Sequence, residues 1–371
     1  MSKKALVAMS GGVDSSVALY LTQMAGYECI GVTMKLYDGK NECANKKSCC
    51  SLSDVEDARS VAAKFDVPFY VFDYREEFRN QVMDKFIQEY KDGNTPNPCI
   101  DCNHYMKFQH LYQHARQLGC DVIVTGHYAR VIYREENGEY ELHHGIDGNK
   151  DQSYVLFSLN QEQLEYTYFP LGDYTKEEIR SMADDLGLVN AHKPDSQDIC
   201  FIEGGNYADF LEENGMTSIE GDFVNEEGEV LGKHLGYFHY TIGQRKGLGI
   251  AGANPYYVKR IEPESNRVIV GSKEELQVRR LLVDNLFWTS ESARANEFYC
   301  NVRCRYHQAL VNARVIVEDG GKCNVYLEEE VYGIAPGQAV VFYQGSRILG
   351  GGTIQKTDCQ LDKERQVDNL F

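Results

Sequence analysis

Several groups of residues in this chain have types and spacings suited to chemistry. The first is Ser10-Gly11-Gly12-Val13-Asp14-Ser15-Ser16, which follows the apolar run Ala5 to Ala8 and precedes Val17-Ala18-Leu19-Tyr20-Leu21. That order reads as strand, tight loop and helix. Such a junction binds phosphate. The glycines allow close backbone approach and positive φ, while Ser10, Ser15, Ser16 and the bare N–H groups of the helix start supply donors beside a favourable dipole. Asp14 would repel a phosphate without a cation between them, which predicts Mg²⁺ held by that carboxylate and phosphate oxygens. The plain alternative is a Gly-Ser turn before a helix.

A second group is Asn97-Pro98-Cys99-Ile100-Asp101-Cys102-Asn103, in a Gly- and Pro-rich loop that ends just before a helix, where the dipole stabilises a thiolate. Cys200 is a further isolated thiol in the polar stretch Lys193 to Phe201. A Cys-x-x-Cys pair by itself fits half a zinc site, a redox pair or two chance thiols, and no second matching pair accompanies it. Cys29, Cys120, Cys300, Cys304, Cys323 and Cys359 sit in or beside apolar runs and read as buried packing residues. Small packed residues are also the reading for Cys49 and Cys50, and Cys43 has no assigned role.

These groups are positioned by alternating strands and helices. Cys29 to Met34, Pro68 to Tyr74 and Asp121 to Thr125 read as strands, and Glu76 to Tyr90 and Tyr105 to Leu118 as helices. Ser53 has the place of an N-cap, with Asp54, Glu56 and Asp57 in the following turn. The alternation predicts an α/β fold with a doubly wound parallel sheet and its ligand at the carboxyl ends of the strands, where Met34, Gly126 and His127 fall. Arg130 to His143 alternates like a hairpin turning at Asn137-Gly138, and Thr175 to Leu186 reads as a helix with a Thr175/Glu178 capping box and a Gly187 stop. Beyond Phe210 the texture becomes all-β. The expected domains are 1–209 (α/β), 210–282 (small, β-rich) and 283–371 (β-barrel or sandwich), with Asp362 to Asp368 as a solvated tail.

A chain of 371 residues is long enough for two or three cores, and 43% hydrophobic with 25% charged is ordinarily globular. Nothing near the start resembles a signal peptide and no apolar run spans a bilayer, so the expectation is a cytoplasmic protein with no membrane partner. Twelve cysteines in that setting argue for packing, metal or redox thiols rather than a disulfide scaffold. The net charge of −18 argues against indiscriminate polyanion binding but leaves room for a local basic face. From Gly236 to Arg260 no acidic residue occurs, while Arg245, Lys246, Lys259 and Arg260 stand among Tyr237, His239, Tyr240, Tyr256 and Tyr257, a mixture suited to RNA phosphates and bases.

With no Gly-Lys-Ser/Thr and no Gly-x-Gly-x-x-Gly, the first loop is neither a Walker loop nor a dinucleotide fingerprint. Ser-Gly-Gly-Val-Asp-Ser-Ser resembles instead the PP-loop of ATP pyrophosphatases, which cleave ATP between its α and β phosphates and adenylate a carbonyl oxygen. Taken with Thr95-Pro96-Asn97-Pro98, Cys102-Asn103, Thr125-Gly126-His127-Tyr128-Ala129, Lys150 to Tyr154, Asp195 to Phe201, Gly243 to Gly249, Arg305-Tyr306 and Ala335 to Gln338, it resembles the bacterial tRNA-specific 2-thiouridylases from residue 5 to about 355.

The resemblance implies a PP-loop ATPase domain, a central β-rich tRNA-binding domain and a C-terminal β-barrel. It implies ATP on Ala8, Met9, Ser10, Gly11, Gly12, Val13, Asp14, Ser15, Met34 and Gly126, and the target base beside Asn97, Pro98 and Cys99. It implies tRNA contacts from His127, Lys150, Asp151, Gln152, Arg305, Tyr306 and Gln338. From the residues alone, His127 reads as a structural histidine and Arg305-Tyr306 as a barrel surface pair.

The reaction implied is adenylation of O2 of the wobble uridine, then sulfur transfer from a persulfide on Cys200. Cys102 attacks the inner sulfur, either after the outer one has bonded C2 or before, to free sulfide, and a Cys102–Cys200 disulfide remains. A cysteine desulfurase or a sulfur-relay protein would supply the persulfide. Family members often carry Asp where this chain has Cys99, so an acid/base role at that position does not transfer. Cys99, Cys102 and Cys200 are also three candidate ligands for a [4Fe–4S] cluster. Other readings are an amide-forming PP-loop synthetase acting on a small carboxylate and a non-catalytic tRNA-binding module that senses ATP; both leave Cys102 and Cys200 idle.

Overall fold

The computed structural model describes residues 2–38, 52–195, 198–252 and 254–358. The readings made for Cys43, Cys49, Cys50, Ser196, Gln197, Cys359 and the Asp362 to Asp368 tail lie outside the described residues. Among the described residues, no helix is long and apolar enough to cross a membrane.

The first sheet is parallel throughout. Strands β1 (Lys4–Ala8), β2 (Glu28–Lys35), β3 (Phe69–Asp73), β4 (Val122–Val124) and β7 (Thr167–Tyr168) lie in the order β3-β2-β1-β4-β7. Its central strands are apolar because helices cover both faces: Val7 and Val124 pack with Val17 of helix Val13–Met24 and Ile179 of helix Lys176–Asp185 on one, and Leu6, Val32 and Ile123 pack with Leu111 and Ala115 on the other. The chain leaves β1 for β2 on one side and reaches β4 on the other. The loops therefore diverge between β1 and β4, opening a crevice at their carboxyl ends. Both the Ser10 to Ser16 stretch and Gly126 open onto it.

Several elements differ from the expected bounds. The helix expected from Tyr105 starts at Pro98, where Asn97 caps it and proline occupies the first turn, so Cys99 and Cys102 are helical rather than in a loop. From Cys102 to Leu111 it widens into a π-helix before tightening again over Tyr112–Gln117. Wide turns of this kind are common beside functional sites. Ser53 lies inside helix Leu52–Lys64 rather than capping it. The capping box on Thr175 forms as expected.

The expected hairpin forms as β5 (Ala129–Arg134) and β6 (Glu139–His144), with Gly138 at φ 69° in a four-residue turn. It joins a different sheet. Its β6 pairs with β17 (Arg347–Thr357) through Arg347↔His143 and Ile348↔Leu142. Strands β8 (Gly221–Val224), β9 (Val230–His234), β10 (Tyr257–Glu262) and β11 (Arg267–Gly271) form a small sheet in the order β10-β11-β8-β9. Strands β12 (Gln277–Trp288), β13 (Glu297–Arg303), β14 (Val311–Glu318), β15 (Lys322–Tyr332), β16 (Ala339–Gln344) and β17 pair antiparallel, and β12 closes onto β17 to make a barrel. Inward positions Val302, Val315, Val325, Val340, Phe342 and Ile354 fill it. The hairpin fastens this barrel to the first domain.

Candidate active site

The Ser10 to Ser16 stretch forms a tight turn from β1 into helix Val13–Met24, with Gly12 as an N-cap that carries no side-chain cap. The first-turn N–H groups are thus not consumed by a cap. Gly11 has φ 75°, and a Cβ there would sit 2.3 Å from the Asp54 carbonyl oxygen. A Cβ on Gly126 would approach the Asp14 carbonyl carbon and the Ser15 nitrogen at 2.9 Å each, so strand β4 abuts the loop only because that side chain is absent. Such close backbone packing beside a helix start suits a polyphosphate.

The serines divide. The Ser10 N–H donates to Ser15 Oγ at 3.2 Å, and Ser15 Oγ donates to the Gly12 carbonyl at 3.0 Å. Ser16, expected as a phosphate donor, is fully buried: it donates to Gly12 O and accepts from Asn190 Nδ2 at 2.9 Å. It braces the loop from behind. Met9 and Val13 are buried in the core, which leaves only their backbone for a nucleotide. Lys193 supports the loop from outside, donating to Gly11 O at 3.2 Å and to Asp57 at 2.7 Å while also pairing with Asp54.

Asp14, the expected metal ligand, already carries a cation. Lys176 Nζ donates to its Oδ1 and Oδ2 at 2.7 and 2.8 Å, and the Tyr128 hydroxyl donates to Oδ1 at 2.8 Å. The same ammonium lies 2.7 Å from Asp195 Oδ1, and Asp195 Oδ2 takes Lys150 at 2.8 Å, with Arg180 at 3.1 Å from Oδ1. Burial opposes ionisation of Asp195, but hydrogen bonds from Lys150 and Lys176 outweigh it and hold the carboxyl down at about 2. Asp195 opens the segment that leads to Cys200.

Cys102 and Cys200 are both half-buried and pack against one aromatic cluster that contains Phe78, Phe86, Phe201 and Phe210. Phe201 fixes the Cys200 end, with ring centroids 5.4 Å from Phe86 and 5.1 Å from Phe210. Met34 packs on the same cluster. Cys99 is exposed in the first helical turn, where Asn97 Oδ1 accepts from its N–H at 3.2 Å. Asp101 is buried and bound to Lys85 at 2.7 Å, so it does not stand in for an Asp at position 99; burial pushes its carboxyl up against the pull of Lys85. Among the described residues, no three His, Cys, Asp or Glu side chains form a metal-sized group.

The residues expected to touch tRNA have diverse settings. Lys150 is partly exposed beside Asp195. Asp151 is buried, accepts from Ser153 N–H and Oγ at 3.0 Å, and meets Arg303 at 3.2 Å. Gln152 Oε1 accepts from the Tyr128 N–H at 3.1 Å. His127 is buried against Phe108 and Phe169 with Nδ1 2.6 Å from Thr125 Oγ1; burial, then Lys107, keeps its ring neutral well below the usual pKa. The structural reading therefore prevails for His127, whose ring is withheld from a tRNA surface.

Arg305 is exposed but donates to the Tyr332 and Gly333 carbonyls. Tyr306 stacks edge-on against Tyr154, its hydroxyl pushed up to about 12 by burial, then by Asp151 and Cys99, which puts it in the field of the expected base pocket. Gln338 reaches the Thr95 carbonyl.

The basic stretch is smaller than expected. Lys259 and Arg260 are neutralised by Glu226, Glu262 and Glu275, and Tyr240 is buried against Phe223 and His234. Arg245 and Lys246 stay exposed.

Lys176 escaped sequence reasoning. A lysine in the first turn of a helix opposes the helix dipole, and that local anomaly after the Thr175 cap was its one signal.

A curated tRNA-specific 2-thiouridylase MnmA from Carboxydothermus hydrogenoformans is 47% identical over 360 residues, covering 95% of this chain and 98% of the relative. The chain belongs to the tRNA-specific 2-thiouridylase family. Proteins of the same name from Lachnoclostridium phytofermentans (45% over 359 residues, covering 95% of this chain and all of the relative, 100%) and Clostridioides difficile (43% over 358 residues, covering 96% and 99%) are similarly close. Residues 3–204 match the tRNA methyl transferase HUP domain, 208–272 the tRNA methyl transferase PRC-barrel domain, and 278–354 the aminomethyltransferase β-barrel domain. This 2-thiouridylase-family chain thus combines a parallel-sheet HUP domain with two β modules.

Proposed function

We propose that this chain carries out ATP-dependent 2-thiolation of the wobble uridine of tRNA. The observation that carries the reading is the shared ammonium of Lys176, which joins Asp14 of the phosphate-binding loop to Asp195, upstream of Cys200. An ATP site and a thiol-bearing segment tied in this way suit a reaction in which adenylation and sulfur transfer act on one base.

Uridine O2 is a poor leaving group, and adenylation converts it to AMP. The helix start after Gly12, with Ser10 and Ser15, would cradle the phosphates, and Asp14 would hold Mg²⁺ between itself and them. The base must leave its stack to be reached, and Asn97, Pro98 and Cys99, near Tyr306, are the residues for its pocket. Lys150, Arg305, Gln338, Arg245 and Lys246 would face the tRNA.

A cysteine desulfurase or sulfur-relay protein delivers sulfane sulfur to Cys200. The terminal persulfide sulfur attacks C2 and AMP leaves with the C2–O2 bond pair. The Cys102 thiolate then attacks the Cys200 sulfur, breaking the S–S bond to the base, releasing the thiocarbonyl and leaving a Cys102–Cys200 disulfide for a dithiol to reduce. Cys99 at the surface and Cys102 against the aromatic cluster favour this route over a three-thiol iron–sulfur cluster. Methyl transfer, suggested by the domain descriptions, would leave both thiols without a task.

The test is Cys200→Ser with unmodified tRNA, ATP and a persulfide source. It should accumulate adenylated tRNA without thiouridine, while the unaltered protein, after one turnover without reductant, should carry the Cys102–Cys200 disulfide. Full thiolation by Cys200→Ser would overturn the reading.

A further inference from the structure

Lys176 is almost wholly buried and bonded to two carboxylates at once: both oxygens of Asp14, at 2.7 and 2.8 Å, and Oδ1 of Asp195, at 2.7 Å. The two acids are unequally supplied. Asp195 has Lys150 and Arg180 besides, whereas Asp14 accepts in addition from the neutral Tyr128 hydroxyl. Lys150 and Arg180 are both about two-fifths exposed while Lys176 is buried, and Lys150, at 2.8 Å from Asp195 against 3.1 Å for Arg180, is the shorter of the two contacts that polyanion phosphates can draw away. Once Lys150 leaves, Asp195 loses a strong partner at 2.8 Å and its pull on Lys176 grows, because charge–charge attraction at such separation in a half-buried site is far from screened.

We propose that Lys176 is a positioning residue that couples tRNA binding to nucleotide binding: when a tRNA phosphate takes Lys150 from Asp195, Asp195 takes Lys176 from Asp14, and Asp14 is released to bind metal-bound nucleotide. This rests on the reading above that the phosphate-binding loop takes ATP and that Lys150 faces tRNA. The coupling is reciprocal, so nucleotide tightens tRNA by the same factor that tRNA tightens nucleotide. No bond is made or broken; one ammonium changes its share between two carboxylates.

The two ends of the relay predict opposite effects on nucleotide affinity. Asp195→Asn leaves Lys176 wholly on Asp14, so affinity without tRNA falls and tRNA no longer raises it. Lys176→Met frees Asp14, so affinity without tRNA rises towards the tRNA-bound value, again with no further response. Lys176→Arg, which keeps the charge, retains part of the response. Simple loosening of the fold would move both variants in one direction.

The experiment measures affinity of the full-length protein for α,β-methylene ATP with Mg²⁺, with and without an unmodified tRNA transcript, by equilibrium dialysis. The unaltered chain should show coupling of about tenfold, and both variants less than about twofold, from opposite starting affinities. Tenfold coupling surviving in Asp195→Asn, or no coupling in the unaltered chain, would overturn the proposal. A chain that binds both ligands cooperatively yet makes no thiouridine would uphold it while removing the functional reading.

Discussion

Gln338 of the barrel donates from Nε2 to the main-chain oxygen of Thr95 at 2.6 Å, and the Thr95 N–H donates to the Pro336 carbonyl at 2.8 Å. Two segments far apart in the chain are thereby clamped, and the clamp lies just before Asn97 and Pro98. A barrel residue thus helps set the start of the helix that carries Cys99 and Cys102. Gln338→Ala should remove one such bond, worth about 1 kcal/mol net. Thiolation kcat/KM for tRNA should fall roughly fivefold, with the protein still folded. Steady-state thiolation assays would show this, and unchanged kcat/KM would detach the clamp from function.

Gly126→Ala places a Cβ 2.9 Å from backbone atoms of Asp14 and Ser15. Backbone cannot yield as a side-chain tip does, so the loop must shift. AMP formation should drop by on the order of 100-fold, with tRNA affinity changed less than about twofold. Equal losses of both would point to a general disturbance of the fold.

His127 titrates in the folded chain below the unfolded value of about 6.5, because burial, then Lys107, disfavours the charged ring. Below that value the unfolded state binds the extra proton and the folded state does not. This contribution to stability is therefore present at neutral pH and is lost as pH falls below about 6.5. Urea midpoints compared at about pH 7.5 and about pH 5 should fall further for the unaltered chain than for His127→Gln. Equal falls would contradict the burial account.

Arg245→Ala with Lys246→Ala should weaken tRNA binding and lower the salt slope by roughly 1 to 2. Lys259→Ala should do much less, because Glu226 and Glu275 already occupy that ammonium. Filter binding across a salt series would separate them, and an equal effect from Lys259 would mean that those carboxylates give way to RNA.

The parallel sheet and the loop after β1 were readable because apolar runs, turn residues and a capping box all act locally. The β-rich texture of the later part of the chain was readable for the same reason. The pairing of β6 with β17 was not, since a hairpin's alternation is the same whichever sheet it joins. Nor was the early helix start at Pro98: Asn97 and Pro98 make a good cap and first turn, but the following Cys99 and Asp101 disguised it. The charge relay was the least legible. Asp14, Lys176 and Asp195 are brought together by three different elements, and the spacing of one charge in sequence says nothing of its partner. Likewise Lys259 and Arg260 looked like an RNA face until the fold supplied Glu226, Glu262 and Glu275.

The central claim is tested most directly by mass spectrometry of nucleosides from unmodified tRNA incubated with the protein, ATP, Mg²⁺ and a persulfide source. The account predicts 2-thiouridine at the wobble position in step with AMP, and none without ATP. AMP release with no sulfur in the tRNA, or a methylated uridine in its place, would contradict it.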